Sequence, residues 1–193
     1  MDGQEFPRQL KELQKQIFYA VLSYNVYIAL WPTEEVVNIL NRHRGFLIPV
    51  RNALYDTMMM GFAKVFDRDR RTMSLVNLMH EAKDSTVDLV PHVSISDIQA
   101  MDSQLSQHEH VLTIIKNLRD QRLAHNDANP RPLRPPKKGE IDNLIKTLEG
   151  VFNKLSSGHD KSIYDWSFQQ NRSVMDTAEV IRILRAEMDK GQS

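Results

Sequence analysis

Apolar residues recur at helical spacing along most of this chain, and this pattern limits the fold more than any other feature. The clearest case is the stretch 141–155, where apolar side chains fall on one face of a helix. Alternation of apolar and polar residues, which is typical of strands, is hard to find, and the chain holds only seven glycines. The sequence therefore predicts an all-α bundle of about five to seven helices.

Caps and helix breakers set approximate limits for these helices. Thr33 and Ser173 are predicted N-caps, and either Ser94 or Ser96 begins the helix between them. Pro49 is expected to kink or divide the long second helix. Residues 84–94 and 156–171 are predicted loops. The predicted helices cover residues 7–30, 34–66, 73–83, 94–125, 141–155 and 173–188.

Length and composition restrict the class of protein. A chain of 193 residues can form one domain with a substantial core, and we expect a single domain with a core at about 30–155 and a helical extension at 156–193. Lys+Arg and Asp+Glu both number 25, so bulk charge does not drive nucleic-acid binding. With no cysteine and no apolar run of membrane length, a soluble cytoplasmic protein that does not bind membranes is expected.

The stretch 118–127 is where function is most expected. On a wheel of about 100° per residue, Arg119, Arg122 and His125 continue the apolar arc formed by 111–118. Charged groups on a core-facing stripe are costly unless they are paired, so this cluster needs an explanation.

Two chemical interpretations fit the cluster. Arginine offers a permanent charge and a planar fork of donors for phosphate, and histidine exchanges protons near neutral pH, so Arg119 and His125 could cleave RNA without a metal or another cofactor. The alternative is a buried polar network that fixes a dimer interface. Arg122 could bind phosphate, or it could pair with Asp67 or Asp56.

Other polar groups carry weaker expectations. His108 and His110 point to different sides of a helix, so we expect two solvated side chains and no shared metal. The proline-rich loop 130–138 is either a solvated basic loop or a contact for an RNA backbone. The candidate substrate-binding residues are Arg122, Asn126, Arg131, Arg134, Lys137 and Lys138.

The motif also resembles a known family. Arg119, five intervening residues and His125 fit the arginine–histidine pattern of the HEPN superfamily, with Asp120 in the place of the polar residue that commonly follows the arginine. Together with the upstream stretches 61–67 and 74–78, the motif looks like the branch associated with abortive-infection proteins.

This resemblance implies a helical domain that forms a homodimer and places two copies of Arg119 and His125 around a shared cleft. It further implies metal-independent RNA cleavage with a 2′,3′-cyclic phosphate product. His125 would transfer protons, Arg119 would hold the phosphate and Asp120 would orient them. The setting would be phage defence or toxin–antitoxin control, with an antitoxin or defence-system partner protein. One subgroup has a tyrosine two residues after the histidine; Asp127 stands here, which argues against control by adenylylation at this position.

Three hypotheses follow from these observations. The first is a HEPN-like endoribonuclease with a composite active site at the homodimer interface. The second is a non-catalytic HEPN module that binds RNA, a nucleotide or a partner protein. The third is a purely structural dimer.

Overall fold

The computed structural model describes residues 5–31, 33–124 and 134–190, apart from the side chains of 122–124 and 168–169. Within these ranges the chain forms nine α-helices and one π-helical segment, and no strand, which confirms the all-α prediction. The elements are α1 (Glu5–Ala29), α2 (Glu34–Arg42), α3 (Arg44–Val65), α4 (Leu75–Asp84), α5 (Thr86–Leu89), α6 (Ile95–Ser106), α7 (Glu109–Leu118), the π segment (Arg119–Ala124), α8 (Lys138–Asp160) and α9 (Ser167–Lys190).

Side-chain caps fix several of the helix starts. Thr33, Ser74 and Ser94 each accept a hydrogen bond from the backbone N–H three residues ahead. At Ser94 the carboxylate of Asp97 also accepts the backbone N–H of the cap, which completes a capping box. The predicted cap at Thr33 and the choice of Ser94 are therefore confirmed.

The described residues fall into two compact units. The first comprises Met1–Phe18 and Met59–Tyr164, and the second comprises Tyr19–Met58 and Asp165–Ser193. The first unit contains the predicted apolar face of α8, which is buried throughout. Its largest fully buried side chains include Phe6, Leu13, Phe62, Leu78, Met101, Ile115 and Phe152.

The second unit has a smaller core. Its buried cluster consists of Leu30, Val36, Leu40, Leu47 and Ile181. Two side-chain contacts also join segments of this unit. The Arg51 guanidinium lies over the Trp31 ring, 5.1 Å from the centroid, and Arg185 forms an ion pair with Glu35 at 3.0 Å.

The predicted long helix 34–66 is divided, but not at Pro49. The break lies at His43, whose backbone leaves the helical region (φ −109°, ψ 30°), and its carbonyl accepts hydrogen bonds from the N–H groups of Phe46 and Leu47 at the start of α3. Pro49 lies inside α3. Because proline has no backbone N–H, the helical hydrogen bond from residue 49 to the carbonyl of Gly45 is missing. Gly45 is exposed, so water can bind this carbonyl instead.

Residues 84–125 also differ from the prediction. The expected loop 84–94 contains the four-residue helix α5. The helix that begins after Ser94 ends at Ser106, because the N–H groups of Gln107 and His108 bond to carbonyls three residues back and tighten the turn. The His108 ring then hydrogen-bonds Thr147 at 2.9 Å, so the prediction of a solvated His108 is wrong.

The C-terminal boundaries shift as well. Helix α8 continues to Asp160 and stops where Lys161 adopts φ 65°, a left-handed conformation common at helix ends. Helix α9 already begins at Ser167, so Ser173 is not its cap. The Ser173 hydroxyl is buried and instead donates to the carbonyl of Gln170. Among the described helices, none combines the length and apolar character that a membrane span requires.

Candidate functional site

The motif arginine lies where α7 ends and the π segment begins. Val111, Ile115 and Leu118 are buried, which confirms the predicted apolar face of α7. Arg119–Ala124 form a π-helix, in which hydrogen bonds run from i to i+5. A wheel of 100° per residue therefore does not apply beyond Leu118. The prediction that Arg122 and His125 continue the apolar arc of α7 rested on that wheel and loses its basis. Such π turns are frequent at functional sites.

Two carboxylates hold the Arg119 side chain. Its Nη1 donates to Asp67 Oδ2 over 3.1 Å, and its Nε donates to Asp120 Oδ1 over 2.7 Å. The side chain is 20% exposed. The hydrogen bond to Asp120 raises the pKa of Arg119 and Asp67 adds to this, while burial acts in the opposite direction. The guanidinium is thus charged and fixed in orientation.

Arg119 borders a cavity of about 520 Å³ between the end of α3, α7 and the loop that follows α3. Its lining includes the buried apolar residues Phe62, Ala63, Phe66 and Ile115. The polar and charged lining residues are Asp67, Arg68 and Asp69 of the loop and Glu109, Thr113, Lys116, Asn117 and Arg119 of α7 and its end. The cavity therefore combines an apolar part with a polar part. That combination is typical of small-molecule and cofactor sites.

The loop 67–72 beside the cavity is ordered by its own polar groups. Asp67 accepts the backbone N–H of Asp69, and Asp69 accepts the backbone N–H of Arg71. The Asn77 amide donates to the carbonyls of Asp69 and Thr72 at 2.7 and 2.8 Å. Hydrogen bonds from Arg71 lower the pKa of Asp69 to about 2. The loop is exposed at 68–71 and presents the Asp67 carboxylate to Arg119.

Charges around the cavity are largely paired. Arg68 forms an ion pair with Glu109 at 2.6 Å, in addition to the pair of Asp67 with Arg119. Lys116, which is exposed on α7, differs from these residues. In the described ranges it makes neither an ion pair nor a side-chain hydrogen bond. Its charge is therefore available to an anionic ligand.

The structure describes only part of the predicted site. Arg119 and Asp120 are in direct contact. The Arg122 side chain, His125, Asn126 and Arg131 lie outside what is described.

The described part of the predicted basic loop lies before and at the start of α8. Arg134 and Lys137 are exposed. Lys138 forms an ion pair with Asp142 at 2.7 Å. The backbone N–H of Lys137 donates a hydrogen bond to the Glu140 carboxylate over 2.6 Å, and this contact caps the N-terminus of α8.

Two residues of the site were not predicted as such. The sequence suggests Asp67 only as one possible partner for Arg122, and it does not single out Lys116. The signal for Asp67 was its place at the end of the stretch 61–67, one of the segments that carry the family resemblance. No cluster of three or more His, Cys, Asp or Glu residues suited to a metal occurs in the described part of the chain.

Comparison with protein-family models places the chain in a known family. The HEPN_AbiU2 family model, described as AbiU2, matches residues 3–180, a range that includes both described site elements, the loop 67–72 and the motif at Arg119. No curated protein and no solved structure matches the chain. The matched range is more than half of the chain. The chain therefore belongs to the AbiU2 family of HEPN domains, within the abortive-infection branch of the HEPN superfamily.

Proposed function

We propose that the protein is a metal-independent endoribonuclease of phage defence or of a toxin–antitoxin system. One observation carries the proposal: the motif arginine of a HEPN-family chain is charged, half-buried and oriented by two carboxylates beside a cavity. A fixed guanidinium can stabilise the charge that builds on a phosphorane without reorganising during the reaction.

The reaction would be an internal transesterification. The 2′-oxygen of the RNA attacks the phosphorus while the bond from phosphorus to the 5′-oxygen breaks. The 2′-hydroxyl loses a proton and the leaving 5′-oxygen gains one, which gives a 2′,3′-cyclic phosphate and a 5′-hydroxyl. His125 would exchange these protons. Arg119 would bind the phosphate, and Asp120 would orient the guanidinium through its hydrogen bond to Nε.

We further propose that two copies of the chain form the active site together. One copy offers one Arg119 and one His125, whereas the reaction needs a proton acceptor, a proton donor and compensation of phosphate charge. Asp67 and Asp120 already offset the charge of Arg119. A homodimer that joins two motifs at its interface would supply a second histidine and further basic side chains, including Arg122. An antitoxin or another defence protein would restrain such an enzyme in the cytoplasm.

The test uses purified protein, labelled total RNA and an excess of chelator. We expect the wild-type protein to cleave RNA and leave cyclic-phosphate ends, and we expect His125→Ala and Arg119→Ala to lose cleavage while remaining folded dimers by circular dichroism and light scattering. In cells, expression of the wild-type chain should slow growth and His125→Ala should relieve the effect. Equal cleavage by His125→Ala, or no cleavage by a folded wild-type dimer, would contradict the proposal.

The second candidate is a non-catalytic HEPN module that binds RNA, a nucleotide or a partner protein. The compensation of Arg119 by two carboxylates favours it, because such a guanidinium attracts phosphate less strongly than a free one. This candidate predicts RNA binding that weakens with salt and yields no product.

A further inference from the structure

We infer that the cavity beside Arg119 is a subsite for one unpaired nucleotide of single-stranded RNA, with its base inside the cavity and its phosphate at the rim. The inference rests on the proposed function and deepens it, since it names the form of RNA that the site takes. It depends on three properties of the described residues: the size and apolar part of the cavity, two polar side chains of α7, and the cations next to them.

The cavity suits a base by size and by surface. Its volume of about 520 Å³ lies within the range of sites that bind small molecules and cofactors. Of its apolar lining residues, Phe62 and Ile115 are fully buried, and Phe66, at 8% exposed, and the partly buried Leu112 offer apolar surface to a ligand. A nucleobase has two apolar faces, and bases of single-stranded nucleic acids commonly pack on aromatic side chains. The apolar surface at Phe66 and Leu112 therefore suits a face of a base.

Two polar side chains can contact the edge of that base. Thr113 and Asn117 line the cavity from α7 and are four residues apart, so they lie on the same side of the helix. An amide both donates and accepts hydrogen bonds, and so does a hydroxyl. The edges of nucleobases carry donors and acceptors in patterns that differ between bases. These two residues would therefore give the subsite a base preference.

Two cations at the rim can contact the attached phosphate. Lys116 and Arg119 both line the cavity and are three residues apart, about one helical turn. Lys116 has no ion-pair partner in the described part of the chain, so phosphate binding there does not require an existing contact to break. Arg119 lies in the proposed catalytic pair, so the subsite nucleotide would be adjacent to the scissile bond.

The ligand must be unpaired because the base enters the cavity. A base inside a helix of RNA is stacked on its neighbours and hydrogen-bonded to its partner, and burying it in a protein requires both contacts to break. Sequence-specific recognition of RNA accordingly takes place mostly in single strands, loops and ends. The cavity thus favours single-stranded RNA over a duplex.

The test measures binding separately from cleavage. In a His125→Ala background we would measure the fluorescence anisotropy of labelled oligo(A), oligo(C) and oligo(U) and of an oligo(A)·oligo(U) duplex. The variants are Asn117→Ala, Thr113→Val and Lys116→Gln. The matched control is Lys146→Gln, an exposed lysine of α8 in the same unit that does not line the cavity.

We expect single strands to bind about 10-fold tighter than the duplex, with one base preferred. Asn117→Ala and Thr113→Val should weaken the preferred oligomer by about 5- to 50-fold and flatten the preference. Lys116→Gln should weaken all three oligomers equally and reduce the salt dependence, and Lys146→Gln should change neither.

Other results would overturn the inference. These are equal affinity for duplex and single strand, an unchanged base preference in Asn117→Ala and Thr113→Val, and tighter binding of a free nucleoside monophosphate than of any oligomer. Failure of the proposed nuclease can be told apart. Selective binding to single strands without cleavage by the wild type would contradict the nuclease alone, whereas cleavage with a base preference that the variants leave unchanged would contradict the subsite alone.

Discussion

The guanidinium of Arg119 donates a hydrogen bond to the carboxylate of Asp67, a residue 52 positions earlier in the chain. This contact joins the start of the π segment to the loop after α3. The Asp67 carboxylate also accepts a hydrogen bond from the backbone N–H of Asp69. The loop therefore fixes the position of the carboxylate that orients the arginine. The orientation of the motif arginine therefore depends on the order of a loop far away in sequence.

Replacing Asp67 by asparagine should weaken this contact without disturbing the loop. The asparagine side chain keeps an oxygen for the Asp69 N–H but lacks the charge that faces Arg119. The side chains of Arg119 and Asp67 are 20% and 24% exposed, a burial between that of a surface pair and that of a core pair. We expect the free energy of unfolding to fall by about 1–2 kcal/mol in urea denaturation.

The same substitution should change RNA binding in the opposite direction. With one carboxylate fewer beside Arg119, a phosphate meets less competition, so the affinity of the His125→Ala background for single-stranded RNA should rise. Asp102→Asn, at an exposed position of α6, is the control and should change neither stability nor affinity. Unchanged stability in Asp67→Asn would show that the ion pair contributes nothing to the fold.

The Asn77 side chain provides a second test of the loop. It is 8% exposed and its amide satisfies the carbonyls of Asp69 and Thr72. Asn77→Ala removes the amide donor from the Thr72 carbonyl, whereas the Asp69 carbonyl keeps hydrogen bonds from the N–H and the hydroxyl of Thr72. We therefore expect a loss of about 1–2 kcal/mol of stability. Backbone amides of 69–72 should also exchange faster with deuterium, measured by mass spectrometry or NMR. Asn143→Ala, at an exposed position of α8, should not lower the stability and should leave the exchange of 69–72 unchanged.

The sequence was sufficient for those parts of the fold that local chemistry decides. The apolar face of α8 follows from the spacing of its residues, and the cap at Thr33 follows from a side-chain hydrogen bond within a few residues. The divisions at His43 and after Ser106 could not be read in this way. Both are turns made of ordinary helix-compatible residues, and the second is accompanied by the contact of His108 with Thr147, 39 positions away.

The site shows the same limit. The arginine of the motif and its neighbour Asp120 were identifiable, since they are adjacent in the chain. Asp67 was only one of two carboxylates considered as a partner for Arg122, and its contact with Arg119 was not predicted. The π segment that begins at Arg119 changes the helical register, and no periodicity in the sequence signals it.

Two glycines of α8 should respond oppositely to the same substitution. A Cβ at Gly158 would lie 1.9 Å from Val93 Cγ2 and 3.1 Å from Val93 Cβ, whereas a Cβ at Gly150 meets nothing within 4 Å. Gly158→Ala should lower the free energy of unfolding by about 1–3 kcal/mol through overpacking. Gly150→Ala should raise it by about 0.5–1 kcal/mol, because alanine favours a helix over glycine. Thermal and urea denaturation measure both.

A double variant identifies the cause at Gly158. Val93→Ala removes the atom that the new methyl group would meet. If overpacking is responsible, Gly158→Ala should cost less in the Val93→Ala background than in the wild type, a coupling that a double-mutant cycle measures. An equal cost in both backgrounds would place the strain elsewhere on α8.

Acid should release the contact between Asp69 and Arg71 in a narrow pH range. Hydrogen bonds from the Arg71 side chain and backbone lower the pKa of Asp69 from 3.8 to about 2 in the folded protein. A carboxyl group with a lower pKa in the folded than in the unfolded state adds stability above its unfolded pKa and loses it as the pH falls towards the folded value. The stability added by the Asp69 carboxylate should therefore be complete above about pH 5 and decline between about pH 4 and 2.

Two measurements check this pH range and its cause. An NMR titration of the Asp69 carboxyl carbon should give a midpoint near the lower value in the wild type. In Arg71→Ala, which retains the backbone N–H but removes the side-chain donors, the midpoint should move up towards 3.8. Urea denaturation at successive pH values should show the stability difference between wild type and Asp69→Asn shrinking over the same range. A midpoint that Arg71→Ala leaves in place would mean that the backbone turn, rather than the arginine side chain, holds the Asp69 carboxylate in its charged form.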